Sequence, residues 1–316
     1  MPGILTQPIN GHLAVNDGPL NSDSVSLLRP SLPSEPIEEL RKRYNEDGML
    51  LVRGLIPRED IMRTRTFYFS MMAPTGVLKD GTKPSQGIFN DKRSPDDFPG
   101  IGSGVAGMNG RPGGESAAEF VDLAIAAHYK SEYTENLCKH PMLLDFVARF
   151  TGWNENTLGL KRSLLRNNIP GTTPIGVHYD QIFLRHGEPT SLTAWVPIGD
   201  VSLMGGGLIY LEDGEKVGLQ LEKEFTRKSK EAGFTPEEAK SAFNNNMLSS
   251  GLLSECPAEF ARKHHRRWLV SNYEAGDVVF HKPHAVKIHT EAYVFEYTDF
   301  DLPRFMLRLS TTTPTT

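Results

Sequence analysis

Two residues in this 316-residue chain have the types and spacing to bind a metal: His178 and Asp180, in the run GVHYD at 176–180. If that run is a strand, residues two apart point to the same face, and an imidazole and a carboxylate converge on one point. One further histidine from a distant strand would complete a facial set of two histidines and one carboxylate. Such a set leaves three positions on Fe(II) open for a bidentate cosubstrate and O2. The triple by itself is weak. With ten histidines in the chain, a His-x-Asp arises by chance in roughly half of such sequences. A surface histidine near an unrelated aspartate is the bland alternative.

Downstream residues strengthen the case. A Gly276-Asp277 turn leads into the apolar run VVF at 278–280, and His281, His284 and His289 follow closely. Next comes FMLRLS at 305–310, an apolar run with a single arginine, Arg308. A guanidinium on a barrel wall is costly to bury without an anion, and its planar fork matches a carboxylate. The distal carboxylate of 2-oxoglutarate is such an anion. Other signals lead nowhere. GSGVAG at 102–107 has the dinucleotide spacing but no strand before it and no helix after it. RKHHRR at 262–267 reads as a solvated helix end, on which the adjacent His264 and His265 point apart. No metalloprotease, P-loop or serine-hydrolase motif is present.

These residues need elements to position them. Residues 1–34 are rich in Pro, Ser, Asn and Gly without a period, and read as a disordered tail. The rest, 35–316, reads as one domain. Helices are expected over 36–45, from Pro57 onward, over 117–128 and over 141–150, making a helical part at 35–153. Residues 75–116 lose all apolar period, and a stretch this long is either a lid over a site or a plain insertion. From 154 the chain turns to short β runs, at 191–196, 207–211 and 277–280, whose spacing suggests a sandwich or barrel. A helical insertion at 219–265 interrupts them. Inside it, TPEE at 235–238 is a helix start with Thr235 as cap.

Composition narrows the partner. Hydrophobic residues are 38% of the chain, enough for a sizeable core, and the formal net charge is −5. That balance offers no basic field to nucleic acid and no polybasic patch to a membrane, so a small molecule is the expected partner. No apolar run reaches the length of a membrane span. Two cysteines, Cys138 and Cys256, are too few for a disulfide framework and fit a reducing, cytoplasmic setting. A homodimer is compatible with all of this.

Several runs together resemble the phytanoyl-CoA dioxygenase-like family, in its fungal and bacterial branch. They are DGMLLVRGLIP at 47–57, IGVHYDQIFLR at 175–185, LTAWVPIGD at 192–200 and GGGLIYLED at 205–213, within a resemblance that spans about 38–277. It implies a mainly β fold with flanking helices, the double-stranded β-helix or cupin-like jelly-roll barrel. It also implies Fe(II), 2-oxoglutarate and O2, with oxidation of a C–H bond in a small metabolite, including natural products. By resemblance His178 and Asp180 bind the metal, Trp195 lies against the cosubstrate and Arg308 holds its carboxylate.

One position departs from the pattern. The spacing places the family's second histidine where this chain has Lys287. His289 shares a strand face with position 287, whereas His284 has the opposite parity, so His289 is the expected third ligand. The competing expectation is a barrel that is catalytically impaired, or serves as a partner subunit, because that ligand is missing. A metal-dependent isomerase of cupin architecture has less to support it, since it would not need Arg308.

Overall fold

The structure is a computed structural model that describes residues 13–99, 115–159, 163–183, 191–239 and 252–292, together with the backbone of 304–311. The N-terminal strands are β1 (Ala14–Val15), β2 (Gly18–Pro19), β3 (Val25–Leu27), β4 (Pro30–Ser31) and β5 (Met49–Val52). After the helices come β6 (Thr157–Gly159), β7 (Leu164–Arg166), β8 (Leu192–Pro197) and β9 (Leu208–Leu211). The last are β10 (Trp268–Val270), β11 (Val278–His281), β12 (Lys287–His289) and β13 (Arg304–Thr311). One sheet has the order β12-β9-β10-β3; the other runs β4-β5-β11-β8-β13-β6, with β7 also paired to β13.

Alternation along each strand decides what faces what. On β11, Val278 and Phe280 turn outward and pack under the N-terminal helices, while Val279 turns inward. The helices are α1 (Ile37–Asp47), α2 (Arg58–Met72), α3 (Ala118–Ala127) and α4 (Pro141–Thr151). Phe280 stacks on Phe146 of α4 at 5.2 Å. Fully buried side chains of this size contribute about 1.5–3 kcal/mol each. The other sheet turns Ile209, Leu211 and Ile288 outward onto α5 (Gly214–Glu231) and α6 (Pro257–Lys263). Between the sheets lies a third cluster, with Met49, Leu51, Trp195 and Val279 from one side and Leu208 and Tyr210 from the other. Two sheets face to face around a shared interior, with helices outside, agree with the expected mainly β class.

Several boundaries differ from expectation. Residues 13–31 are no tail. β3 pairs in parallel with β10 and β4 with β5, and Leu13, Val15, Leu20, Val25 and Leu28 are buried. Scattered apolar residues that complete a sheet edge outweigh a Pro- and Ser-rich composition; residues 1–12 lie outside the described residues. The helical insertion begins earlier than read, at Gly214. Gly218 explains part of this, because a Cβ there would stand 2.4 Å from the His284 carbonyl oxygen, so only glycine lets α5 approach the 284–286 turn. Thr235 does cap a turn: its hydroxyl accepts from Glu238 N–H, and Glu238 accepts in return from Thr235 N–H at 2.8 Å. Within the irregular 75–116 stretch, residues 77–98 are built of short turns and a bridge between Leu78 and Phe89. The glycine run at 102–107 lies outside the described residues.

Candidate functional site

His178 sits in an extended segment, as the spacing predicts. It pairs with Lys287 through both backbone bonds, His178 N–H to Lys287 O at 3.1 Å and Lys287 N–H to His178 O at 2.9 Å. Val177 is held from the other side by Ser254 O at 2.8 Å. Gly176 is required here, because a Cβ would meet that same Ser254 carbonyl at 2.6 Å. The chain then turns, and Asp180 opens a short 3-10 helix, Asp180–Phe183. Val177 and Tyr179 point to the outer cluster, so His178 and Asp180 belong to the interior.

The interior around Asp180 is a closed polar cluster. Lys287 Nζ lies 2.8 Å from Asp180 Oδ1. Thr193 Oγ1 donates to Oδ2 at 2.8 Å, and His281 Nε2 reaches the same oxygen at 3.1 Å. The His281 ring continues across the interior, its Nδ1 lying 2.9 Å from the Tyr210 hydroxyl. A carboxylate only accepts, so His281 donates through Nε2 and accepts from Tyr210 at Nδ1. Burial holds the Tyr210 hydroxyl well above the ordinary phenol range, which keeps it a donor. Lys287 and His281 are 0% exposed and Asp180 2%. A buried charge needs a partner and hydrogen bonds, and each oxygen of Asp180 has them.

His178 is different in character. Its Nδ1 is 2.9 Å from Gly176 O, and a carbonyl only accepts, so Nδ1 carries the proton. Its pKa is held down to about 3, first by burial, then by the charge of Lys287, with Arg166 adding to the effect. Asp180 and the Gly176 bond pull the other way. The ring is therefore neutral, with an unprotonated Nε2.

Lys287, not His289, stands opposite His178. His289 lies two residues on, opposite Leu208, with its N–H 3.3 Å from Ile175 O. His284 turns outward to Glu222 and Tyr179, as its parity predicted. Among the described residues no group of three or more His, Cys, Asp or Glu side chains is placed to hold a metal ion. The expected set of His178, Asp180 and His289 remains an expectation, and the cation that Asp180 meets is Lys287, at 2.8 Å. The Lys287 ammonium neutralises the Asp180 carboxylate.

The remaining expected residues divide. Trp195 is an interior side chain, edge-on to Tyr273 at 4.7 Å and two residues along β8 from Thr193. Arg308 stands opposite Thr193 in the β13–β8 register; its side chain lies outside the described residues. Thr193 and Tyr210 were not singled out from sequence, and His281 was named only as one of three histidines after the Gly276-Asp277 turn. Alternation could have found them: His281 is two past Val279, Thr193 two before Trp195, and Tyr210 two past Leu208.

Beyond the His289–Ile175 pairing a cleft of about 500 Å³ opens. It is lined by Phe89, Asp91, Arg93 and Pro95 from the irregular stretch, by 170–174, by Asn16 and by Glu291 and Ala292. Asn16 Nδ2 donates to Pro174 O, and its buried Oδ1 meets no partner among the described residues.

No family model and no curated protein sequence matches this chain significantly. Solved structures do resemble it. The non-haem α-ketoglutarate-dependent carbocyclase SnoK from nogalamycin biosynthesis matches with a TM-score of 0.51 and 15% identity, over 90% of this chain and 87% of SnoK. The α-ketoglutarate-dependent epimerase SnoN from the same biosynthesis, solved with Fe3+, α-ketoglutarate and nogalamycin RO, gives 0.48 and 16%, over 88% of this chain and 84% of SnoN. At such identities the likeness to SnoK is one of fold alone.

Proposed function

We propose that this chain binds a small metabolite in the cleft bounded by Asn16, Arg93 and Glu291, on an iron/2-oxoglutarate oxygenase scaffold but without the iron centre. The observation that carries this reading is the buried Lys287–Asp180 pair at 2.8 Å, on a backbone bridge opposite His178. Iron does not fit the residues as they stand. The third position is a protonated amine, which has no lone pair to offer a metal, and both Asp180 oxygens are committed. The chemistry that remains belongs to the protein's own groups. Neutral His178 can accept a hydrogen bond at Nε2 in the interior, and Asp91, Arg93 and Glu291 offer charged groups to a ligand in the cleft. The cleft volume suits a metabolite of moderate size.

A second reading keeps Fe(II), 2-oxoglutarate and O2, with His178, Asp180 and His289 as ligands and Arg308 on the keto acid. One observation favours it: His178 donates Nδ1–H to a backbone carbonyl, the arrangement that orients metal-bound histidines. It requires Lys287 to leave Asp180. Anaerobic titration with Fe(II) and 2-oxoglutarate separates the two readings. The proposal expects no visible charge-transfer band and no release of succinate above a protein-free control. A band that appears in the wild type and is lost in His178→Ala would establish the iron reading instead.

A further inference from the structure

We infer that Lys287 is an internal cation standing in for a metal, and that the site beneath it is a latent metal site that one substitution opens. The inference rests on the iron-free reading above and goes beyond it, because it assigns the absence of metal to one side chain. Three observations carry it. Lys287 is held at its position by both backbone bonds to His178, so any residue at 287 starts from the same place. Its Nζ meets Asp180 at 2.8 Å, so a side chain at 287 is aimed at the carboxylate. His178 is already oriented by Gly176 and keeps an unprotonated Nε2. An imidazole at 287 is shorter than a lysine and leaves room between itself, His178 and Asp180, where the ammonium charge now lies. His281 and Thr193 would stay on Asp180 Oδ2 and hold the carboxylate in orientation.

The experiment uses Co(II) as the probe, with two readouts, its visible d–d absorption and the melting temperature. Lys287→His is expected to bind one Co(II) with a new absorption band and to melt higher with the metal than without it. The wild type should do neither, and His178→Ala in the Lys287→His background should abolish both. Lys287→Ala serves if the histidine variant folds poorly. Leaving Asp180 unbalanced should lower its melting temperature by roughly 10 °C, and Co(II) should restore part of that loss. If both variants are indifferent to Co(II) while the wild type is also silent, the latent site is refuted and the iron-free reading stands. If the wild type itself binds Co(II) and His178→Ala removes the binding, the iron-free reading falls, and this inference with it.

Discussion

Asp180 and Asp277 are equally buried, each 2% exposed, yet they are satisfied in opposite ways. Asp277 sits at the turn into β11 and is bound largely by backbone. It accepts from Gly54 N–H and Glu274 N–H, both at 2.9 Å, and from Arg53, whose side chain is 31% exposed. Gly276 beside it has φ +109° and would set a Cβ 2.3 Å from Ile56 O. Asp180 is bound by the side chains of Lys287, Thr193 and His281, all three of them fully buried. Backbone donors tie a carboxylate to the course of the chain, as a structural turn requires. Side-chain donors can be exchanged without altering the fold, as a site requires. Asp277 is therefore part of the scaffold and Asp180 part of what the scaffold presents.

The largest effect should come from breaking the Asp180 side of this comparison. Lys287→Met leaves a buried carboxylate without its cation, and removing one member of such a pair costs about 3–5 kcal/mol. Adding Asp180→Asn to it should return most of that, measured by urea unfolding. A double variant no more stable than the single would mean that the carboxylate is not what Lys287 balances. Asp277→Ala should cost about 2–4 kcal/mol, because it strands two amide donors. Here no single side-chain change elsewhere should compensate, and a compensating one would erase the distinction between the two aspartates.

Acid sharpens the contrast. The folded pKa of His178 lies far below its unfolded value of roughly 6.5. Its contribution to stability is complete above pH 6.5 and is lost as pH falls toward about 3. The slope for one such group is up to about 1.4 kcal/mol per pH unit. Between pH 6.5 and 5 the amides of His178 and Lys287 should exchange with deuterium faster relative to their intrinsic rates, which themselves fall with pH, while those of Gly54 and Glu274 keep their protection. Equal acceleration at both places would show that the His178 ring does not govern its surroundings.

Much of the architecture was legible because it rests on short-range pattern. The runs at 191–196, 207–211 and 277–280 alternate or are uniformly apolar, and they became β8, β9 and β11. Helix starts at Pro57 and Pro141 were equally readable from proline at the first turn. The N-terminal strands were not, because β3 and β4 are two or three residues long and owe their conformation to β10 and β5. At the site, His178 and Asp180 could be read from spacing, and position 287 from the resemblance. What a lysine does there could not. Only the bridge to His178 shows that its ammonium reaches Asp180 and does not point to solvent. The roles of His281 and Tyr210 were hidden for the same reason, since their hydrogen bond joins two sheets whose distance no local pattern encodes.

The smallest effect tests how far the side-chain character of the Asp180 site extends. Tyr210 donates to His281 Nδ1 from the opposite sheet, at 2.9 Å, with both groups buried. Tyr210→Phe removes that donor and keeps the ring, so His281 loses one hydrogen bond worth about 1 kcal/mol. If the tyrosine only packs, nothing further changes. If it sets the tautomer of His281, the loss frees the ring to move its proton to Nδ1, and Asp180 Oδ2 then loses a donor as well. The ring nitrogen chemical shifts of His281 report this directly. The expected outcome is an Nε2-protonated ring in the wild type and a mixture of tautomers in Tyr210→Phe. An unchanged spectrum would place the limit of the cluster at His281 and leave Tyr210 in the packed interior with Trp195 and Tyr273.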